Sequence, residues 1–311
     1  MQRRIPDIAA AMLPFGDTVR GVAVQDADPA LWLETLREVA DEGFDAIDLT
    51  DSWLKPGDLS EARLTDLSDA LVQANLRPVA ISSIRHSVID PDTGAENLSY
   101  THRTIDAAAT LGIDLVSIGF HRPLLPRQRR NLWFWTVDGP HDRDDVETRS
   151  QATVALRDLC KHAASVGVQV SLEMYEDTLL GSPASAVRVL TDAGMDNLGL
   201  NPDLGNLFRL HRPIDPFLES LAVCLPYTNY WHVKSYYRDE DPATGAVTTF
   251  PAPMESGSMD YRSAFRMAVD AGYSGAFCVE HYGGDGLSVA ARNRDYIRHI
   301  HQTLPLKKEQ R

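Results

Sequence analysis

Four ionisable residues, Glu173, Asp203, His232 and Glu280, sit in or just after short β-rich runs: "VSLEMYE", "LGLNPDLGN", "YWHVKS" and "FCVEHYGG". A carboxylate following an apolar run such as Phe277, Cys278 and Val279 is costly to bury unless something positive holds it. Three carboxylates and an imidazole brought to one point would repel one another without a cation among them. An oxygen-rich set with one His suits a single divalent ion, Mn²⁺ first, with Mg²⁺ and Co²⁺ of the same kind. Zn²⁺ is admitted but less suited, because the set offers no thiolate and only one imidazole.

Taken singly, each residue has an ordinary structural role. Glu173 and Glu280 could be strand-end charges reaching solvent. Asp203, after Pro202, fits turn chemistry, and His232 fits a core histidine with satisfied hydrogen bonds. The argument lies in all four falling at the same end of consecutive strands. Lys234 shares the strand face of His232 two residues on, as a donor to a substrate oxygen or a salt-bridge partner of Glu280 or Asp203. Tyr175 and Glu176 follow Glu173 and could line the same place. His121 in "IGFHRP" and His86 in "SSIRHS" are candidate bases, since imidazole titrates near working pH. His281 should face away from Glu280.

These residues need elements that deliver them to one face. One unit recurs along the chain: an amphipathic helical stretch, a small-residue break and a short β-rich run. In "LWLETLREVADEGFDAIDLTD" the spacing puts Leu33, Leu36, Val39 and Ala40 on one helical face, stops the helix at Gly43 and opens a strand at Phe44. About eight strands alternate with helices when "IAAAML" and "NYWHVKS" are included, which predicts an α/β fold of the (β/α)₈ TIM-barrel class, one domain over residues 1–311. A doubly wound open sheet is the rival, but no Gly-x-Gly-x-x-Gly turn follows the first strand. Two connections, at about 120–147 and 235–259, are far longer than the ~4–6 residues usual for such folds. Both follow strand C-termini, the face on which barrels build their sites.

The 311-residue chain has 43% hydrophobic and 24% charged residues, an ordinary globular balance. Its formal net charge of -14 argues against a nucleic-acid partner, which needs a basic face. No run approaches the ~20 apolar residues of a membrane span, and "MQRRIPDIAAAMLPFGD" meets Pro and Asp too early for a signal peptide. A cytoplasmic location without membrane attachment is the expectation. The three cysteines, Cys160, Cys224 and Cys278, are widely spaced and suggest neither disulfides nor a thiolate site.

At these residues the sequence resembles the xylose isomerase-like TIM-barrel superfamily of sugar isomerases, ketose 3-epimerases and endonuclease IV-type enzymes, in the order Glu173, Asp203, His232, Glu280. The resemblance implies that these four hold Mn²⁺ or a similar ion and that Glu173 and Glu280 exchange a proton with a sugar carbon. It also implies a substrate-binding Arg at Arg238, while Asn206 stands where those epimerases place a substrate-binding His. More specifically, the chain looks like the metal-binding subunit of bacterial C-glycoside deglycosidases, in general likeness and in "NLWFWTVDGP" with its Trp133, Phe134 and Trp135. That resemblance implies a lyase acting on 3-oxo-C-glycosides, with proton abstraction beside the ketone by a base such as His121 and β-elimination of the aglycone, and a small β-rich partner subunit. The alternatives are a ketose 3-epimerase or sugar isomerase acting alone as an oligomer, and a sugar-binding barrel without activity. The aromatic cluster would meet a partner or flat ligand, or fold back on its own barrel.

Overall fold

The computed structural model of the chain describes residues 5–304; the two ends of the expected 1–311 domain lie outside the described residues. Eight parallel strands make one sheet: β1 (Ile8–Ala11), β2 (Ala46–Thr50), β3 (Arg77–Ser83), β4 (Leu115–Ile118), β5 (Gln169–Glu173), β6 (Leu198–Asn201), β7 (Trp231–Val233) and β8 (Phe277–Val279). Each pairs with its sequence neighbour, and β1 pairs with β8, so that only the β6–β7 seam lacks a regular ladder. A single bridge, Leu200 to Thr228, spans that seam. The expected (β/α)₈ barrel is therefore the fold.

Alternation along the strands separates two packing layers. Ile8 and Ala10 of β1, Ile47 and Leu49 of β2, and Phe277 and Val279 of β8 face the helices and join the main core. Ala9, Ala11, Ala46, Ala80, Leu115 and Cys278 face inward around Tyr230 in a second, smaller cluster. The inner residues are mostly small because the barrel interior is narrow and Tyr230 already fills much of it. The same alternation turns His232, Lys234 and Glu280 inward.

The outer helices begin on side-chain caps. Asp28 accepts from Ala30 N–H ahead of α1 (Pro29–Asp41), with Pro29 at the first helical position. Asp145, Ser182, Asp260 and Asp285 cap later helices in the same manner. In α1 the fully buried face is led by Trp32 with Leu36 and Val39, while Leu33 and Ala40 are only half-buried. The expected stripe is thus rotated by one residue, with Trp32 donating its indole N–H to Val24 O at 2.7 Å and the Arg63 guanidinium 4.0 Å from its ring centre.

The two long connections have structure of their own. Residues Ser235–Glu240 and Val247–Ala252 pair as an antiparallel hairpin rather than an irregular loop. The earlier connection holds the helical turns Pro126–Arg129 and Phe134–Thr136. No described helix is long and apolar enough to cross a membrane.

Candidate metal centre

Glu173 ends β5, Asp203 lies two residues past β6, His232 is the middle residue of β7, and Glu280 follows β8. Their side chains meet inside the C-terminal mouth of the barrel, with relative exposures of 4%, 0%, 1% and 5%. His232 Nδ1 lies 3.0 Å from Glu280 Oε1 and 3.8 Å from Glu173 Oε1. One ligand-type atom each from Glu173, Asp203 and His232 falls within 4.8 Å of the others.

The polar atoms of this cluster are incompletely matched by protein partners. Asp203 Oδ1 is buried and has no hydrogen-bond partner, a costly arrangement unless a further group completes it, and His232 Nδ1 has only the Glu280 and Glu173 carboxylates beside it. Burial raises Asp203 to about 7; the Lys234 ammonium opposes the rise, while Glu280 and Glu173 add to it. Burial would also raise Glu173, but the hydrogen bond to His121 and the charge of His232 hold it at about 2. Glu280 is driven well below the carboxylate range, its burial outweighed by Lys234 and His232. Burial disfavours the charge on His232, yet Glu280, Asp48 and Glu173 raise it well above its ordinary value. The donor set is hard oxygen with one imidazole nitrogen, and Asp203 Oδ1 within it has no protein partner. These residues fit a divalent cation.

A second trio, Asp48, His232 and Cys278, also lies close together. Its atoms are otherwise engaged: Asp48 Oδ2 accepts from Tyr230 at 2.5 Å and Ser82 at 2.7 Å, and Oδ1 accepts from Thr50 at 3.1 Å. Burial raises the Cys278 thiol far from its ionised form. This trio instead supports His232 from behind. Ser82 Oγ lies 3.2 Å and Asp48 Oδ2 3.7 Å from His232 Nε2, leaving Nδ1 for the cluster.

A family model described as xylose isomerase-like TIM barrel matches residues 36–302. The chain belongs to the xylose isomerase-like TIM-barrel family. It is similar to a crystallised xylose isomerase-like TIM-barrel protein from Mycobacterium smegmatis in complex with magnesium, with 44% identity and a TM-score of 0.92 over 96% of this chain and 97% of that one. Among curated proteins it is similar to L-ribulose-5-phosphate 3-epimerase UlaE of Escherichia coli (strain SE11), 22% identical over 86% of this chain and 89% of that one. D-allulose 3-epimerase from Methylomonas sp. shares the fold, with a TM-score of 0.69 at 16% identity over 96% of this chain and all of that one.

Within this family barrel, the other residues singled out from the sequence divide. His121 Nε2 reaches Glu173 Oε2 at 3.3 Å, while its Nδ1 accepts the Arg85 backbone N–H at 3.2 Å. That second bond fixes the proton on Nε2, so the ring is a donor to Glu173. Asn206 donates to Glu173 Oε1, Asp203 Oδ2 and the Met174 carbonyl. Lys234 Nζ binds Asp203 Oδ2 and Glu280 Oε2. Glu176 is tied up by Arg209 Nη2 at 2.8 and 3.0 Å.

His86 and Arg238 have other partners. His86 pairs with Asp51 and Asn97 and packs on Tyr100, a separate cluster past β3. The Arg238 guanidinium donates to the carbonyls of Phe208, Leu210 and Arg212, fastening the hairpin to the loop after β6. His281 bonds none of the cluster residues, and burial lowers its imidazole.

The aromatic segment folds back on its own barrel. Trp135 is buried, stacks on Trp133 at 5.1 Å and meets Tyr236 and Tyr282 edge-on at 5.7 Å each. At the centre lies Arg209, fully buried, its guanidinium 4.7 Å from the Trp135 ring centre and 4.9 Å from that of Phe134. Arg209, Tyr282, Asp48, Ser82 and Arg85 were not anticipated from sequence. Arg85, two residues past β3, has a φ of 63°, a left-handed conformation that ordinary residues avoid and that the sequence does not signal.

Proposed function

We propose that this protein is a divalent-metal-dependent sugar epimerase, which removes a proton from the carbon beside a ketone and returns one on the opposite face. The observation that carries the proposal is an ionised, buried Glu173 beside an unpartnered Asp203 Oδ1 and a His232 Nδ1 aimed among the same carboxylates. Glu173, Asp203, His232 and Glu280 would hold the ion. When bound, it polarises the ketone and offsets the negative charge that develops on its oxygen.

The chain's own residues supply the rest. Glu173 accepts the proton, and the His121 Nε2–H keeps its carboxylate ionised and oriented. Glu280 flanks His232 on the other side; it takes up a proton from water and delivers it to the opposite face, and Glu173 passes the proton it removed to water, which restores both carboxylates. The Trp133, Phe134 and Trp135 segment covers the mouth and excludes water. Beside His121, a cavity of about 30 Å³ is lined by Arg85, Phe120, Tyr175 and Glu176 together with Gln128 and Pro140 of the long connection. The names of the similar epimerases support this activity, and the magnesium complex of the Mycobacterium smegmatis protein supports a divalent ion without fixing which one.

One observation favours a second reading, β-elimination from a 3-oxo-C-glycoside by a lyase with a small partner subunit. The Trp133–Trp135 stack and Tyr282 offer flat faces suited to an aromatic aglycone. The test is incubation of Mn²⁺-loaded protein with free ketoses and, separately, 3-oxo-C-glycosides in D₂O, followed by NMR. Deuterium at the carbon beside the ketone together with the epimeric sugar supports epimerisation. Release of free aglycone supports the lyase, and binding without exchange or cleavage refutes both.

A further inference from the structure

We propose that Lys234 is a built-in rival of the divalent ion: its ammonium holds the Asp203–Glu280 pair together in the metal-free protein and weakens ion binding at the same carboxylates. The inference rests on the metal reading above and adds to it the regulation of that site.

Lys234 Nζ bonds to Asp203 Oδ2 and to Glu280 Oε2, so one cation already bridges two of the four expected ligands. The ammonium is a compact charge with no alternative acceptor among its hydrogen bonds, and its side chain is 2% exposed. It did not arrive by chance rotation. The stem threads past Gly205, where an added Cβ would lie 2.6 Å from Lys234 Cγ and 3.2 Å from Asp203 Oδ1. Any side chain at 205 would push the lysine stem aside. The strand below is also pinned, because Tyr261 donates to the Lys234 carbonyl at 2.7 Å.

A divalent ion using Asp203 and Glu280 either takes these oxygens from the ammonium or sits beside it. In the first case the lysine loses two charge-assisted bonds; in the second, two cations repel at short range in a medium that screens poorly. Both work against affinity. Removing the lysine leaves Asp203 Oδ2 and Glu280 Oε2 without the cation that bridges them, which weakens the metal-free fold and strengthens the pull on an ion. Lys234 therefore keeps the unloaded barrel folded and makes the ion exchangeable.

The experiment compares wild type, K234M, K234Q and K234R by Mn²⁺ titration, with free Mn²⁺ read by electron paramagnetic resonance, and by melting temperature with and without the ion. The expected result is at least tenfold tighter Mn²⁺ binding in K234M and K234Q, a melting temperature several degrees lower without the ion, and near-wild-type behaviour in K234R. A K234M chain that is unfolded alone but folds on adding Mn²⁺ supports the proposal. If it folds under neither condition, K234Q decides. Unchanged or weaker Mn²⁺ affinity in a folded neutral variant overturns the proposal while leaving the metal centre standing. Failure of wild type and every variant to bind Mn²⁺, Mg²⁺, Co²⁺ or Zn²⁺ overturns both.

Discussion

Asn201 Oδ1 accepts the backbone N–H of His232 at 2.7 Å, across the one seam of the barrel where no regular ladder runs. The Asn201 amide also donates to Ser117 Oγ at 3.2 Å, so the side chain is held from inside the barrel. A side chain thus stands in for a missing ladder bond beside the only imidazole among the four expected ligands. N201A leaves a buried N–H without a partner and frees β7 to shift. The expected cost is about 1–3 kcal/mol of stability with Mn²⁺ affinity reduced roughly 10–100-fold, checked by denaturant unfolding and ion titration. Unchanged affinity would show that the His232 backbone is fixed by other means.

The seam is plugged lower down by Asn229, whose side chain donates to Val170 O at 3.1 Å and accepts from Ser171 Oγ at 2.7 Å. Gly199 makes room for it, because an added Cβ would lie 2.3 Å from Asn229 Cγ. G199A therefore forces Asn229 out of its bonds. A loss of about 1–3 kcal/mol follows from overpacking, measured by chemical denaturation, and Mn²⁺ affinity at the opposite end of the barrel should change far less than in N201A.

Ion binding should depend on pH through Asp203. Burial lifts its folded-state value from 3.8 to about 7, against the pull of Lys234. Between those values the folded metal-free protein holds a proton that the unfolded chain has lost. This contribution to stability is present at low pH and declines as pH rises towards 7. An ion needs the carboxylate ionised, so each ion bound releases this proton. Apparent Mn²⁺ affinity should rise by up to about tenfold per pH unit through Asp203 below 7 and keep rising above it, because the raised His232 must also lose its proton to bind an ion. The melting-temperature gain from Mn²⁺ should accordingly be larger at pH 7.5 than at pH 5.5, and an equal or smaller gain at pH 7.5 would contradict the assignment.

The barrel was legible because its signal is periodic. Gly43, Gly194 and Gly272 end helices in left-handed conformations that the sequence advertises, and the inward alternation of His232 and Lys234 follows from strand geometry alone. Convergence of Glu173, Asp203, His232 and Glu280 was legible for the same reason, since every strand of a parallel barrel ends on one face. What spacing could not supply was competition for each side chain. Arg238 looks as available as Arg209 in sequence, yet three carbonyls claim the first and an aromatic box the second. His86 and His121 both follow strand ends. Only the tertiary fold sends one to Asp51 and the other to Glu173.

Arg209 and Glu176 form a fully enclosed ion pair beneath the aromatic cover. Glu176, with Tyr236, Tyr175 and Tyr282, raises the guanidinium well above its ordinary value despite burial. E176A strands a buried cation among Phe134, Trp135 and Tyr282, at an expected cost of about 3–5 kcal/mol. The double variant E176L/R209M removes both charges and should recover most of that loss. Thermal unfolding of the single and double variants measures the difference. A double variant no more stable than E176A would mean that the cation holds the cover through its aromatic contacts rather than through Glu176.

His121 separates the roles of ion holding and proton transfer. Its Nε2–H donates to Glu173 Oε2, and the Arg85 backbone N–H on Nδ1 fixes that tautomer. Glu173 is lowered to about 2 in part by this bond, so losing it raises the carboxyl and weakens the carboxylate as an ionised base at moderately acid pH. H121N places an amide near the same oxygen, while H121A leaves none. On the proposed mechanism, H121A should lower deuterium exchange at the sugar carbon by roughly 10–100-fold, the range for losing a partner that orients a working ligand, and shift the acid limb of the rate profile upward. H121N should lie between H121A and wild type, because it restores a donor but not the ring that fits against Tyr175 at 4.6 Å. Mn²⁺ affinity should fall far less than exchange in both. An exchange rate unaffected by H121A would remove His121 from the chemistry and leave Glu173 to act with Asn206 alone.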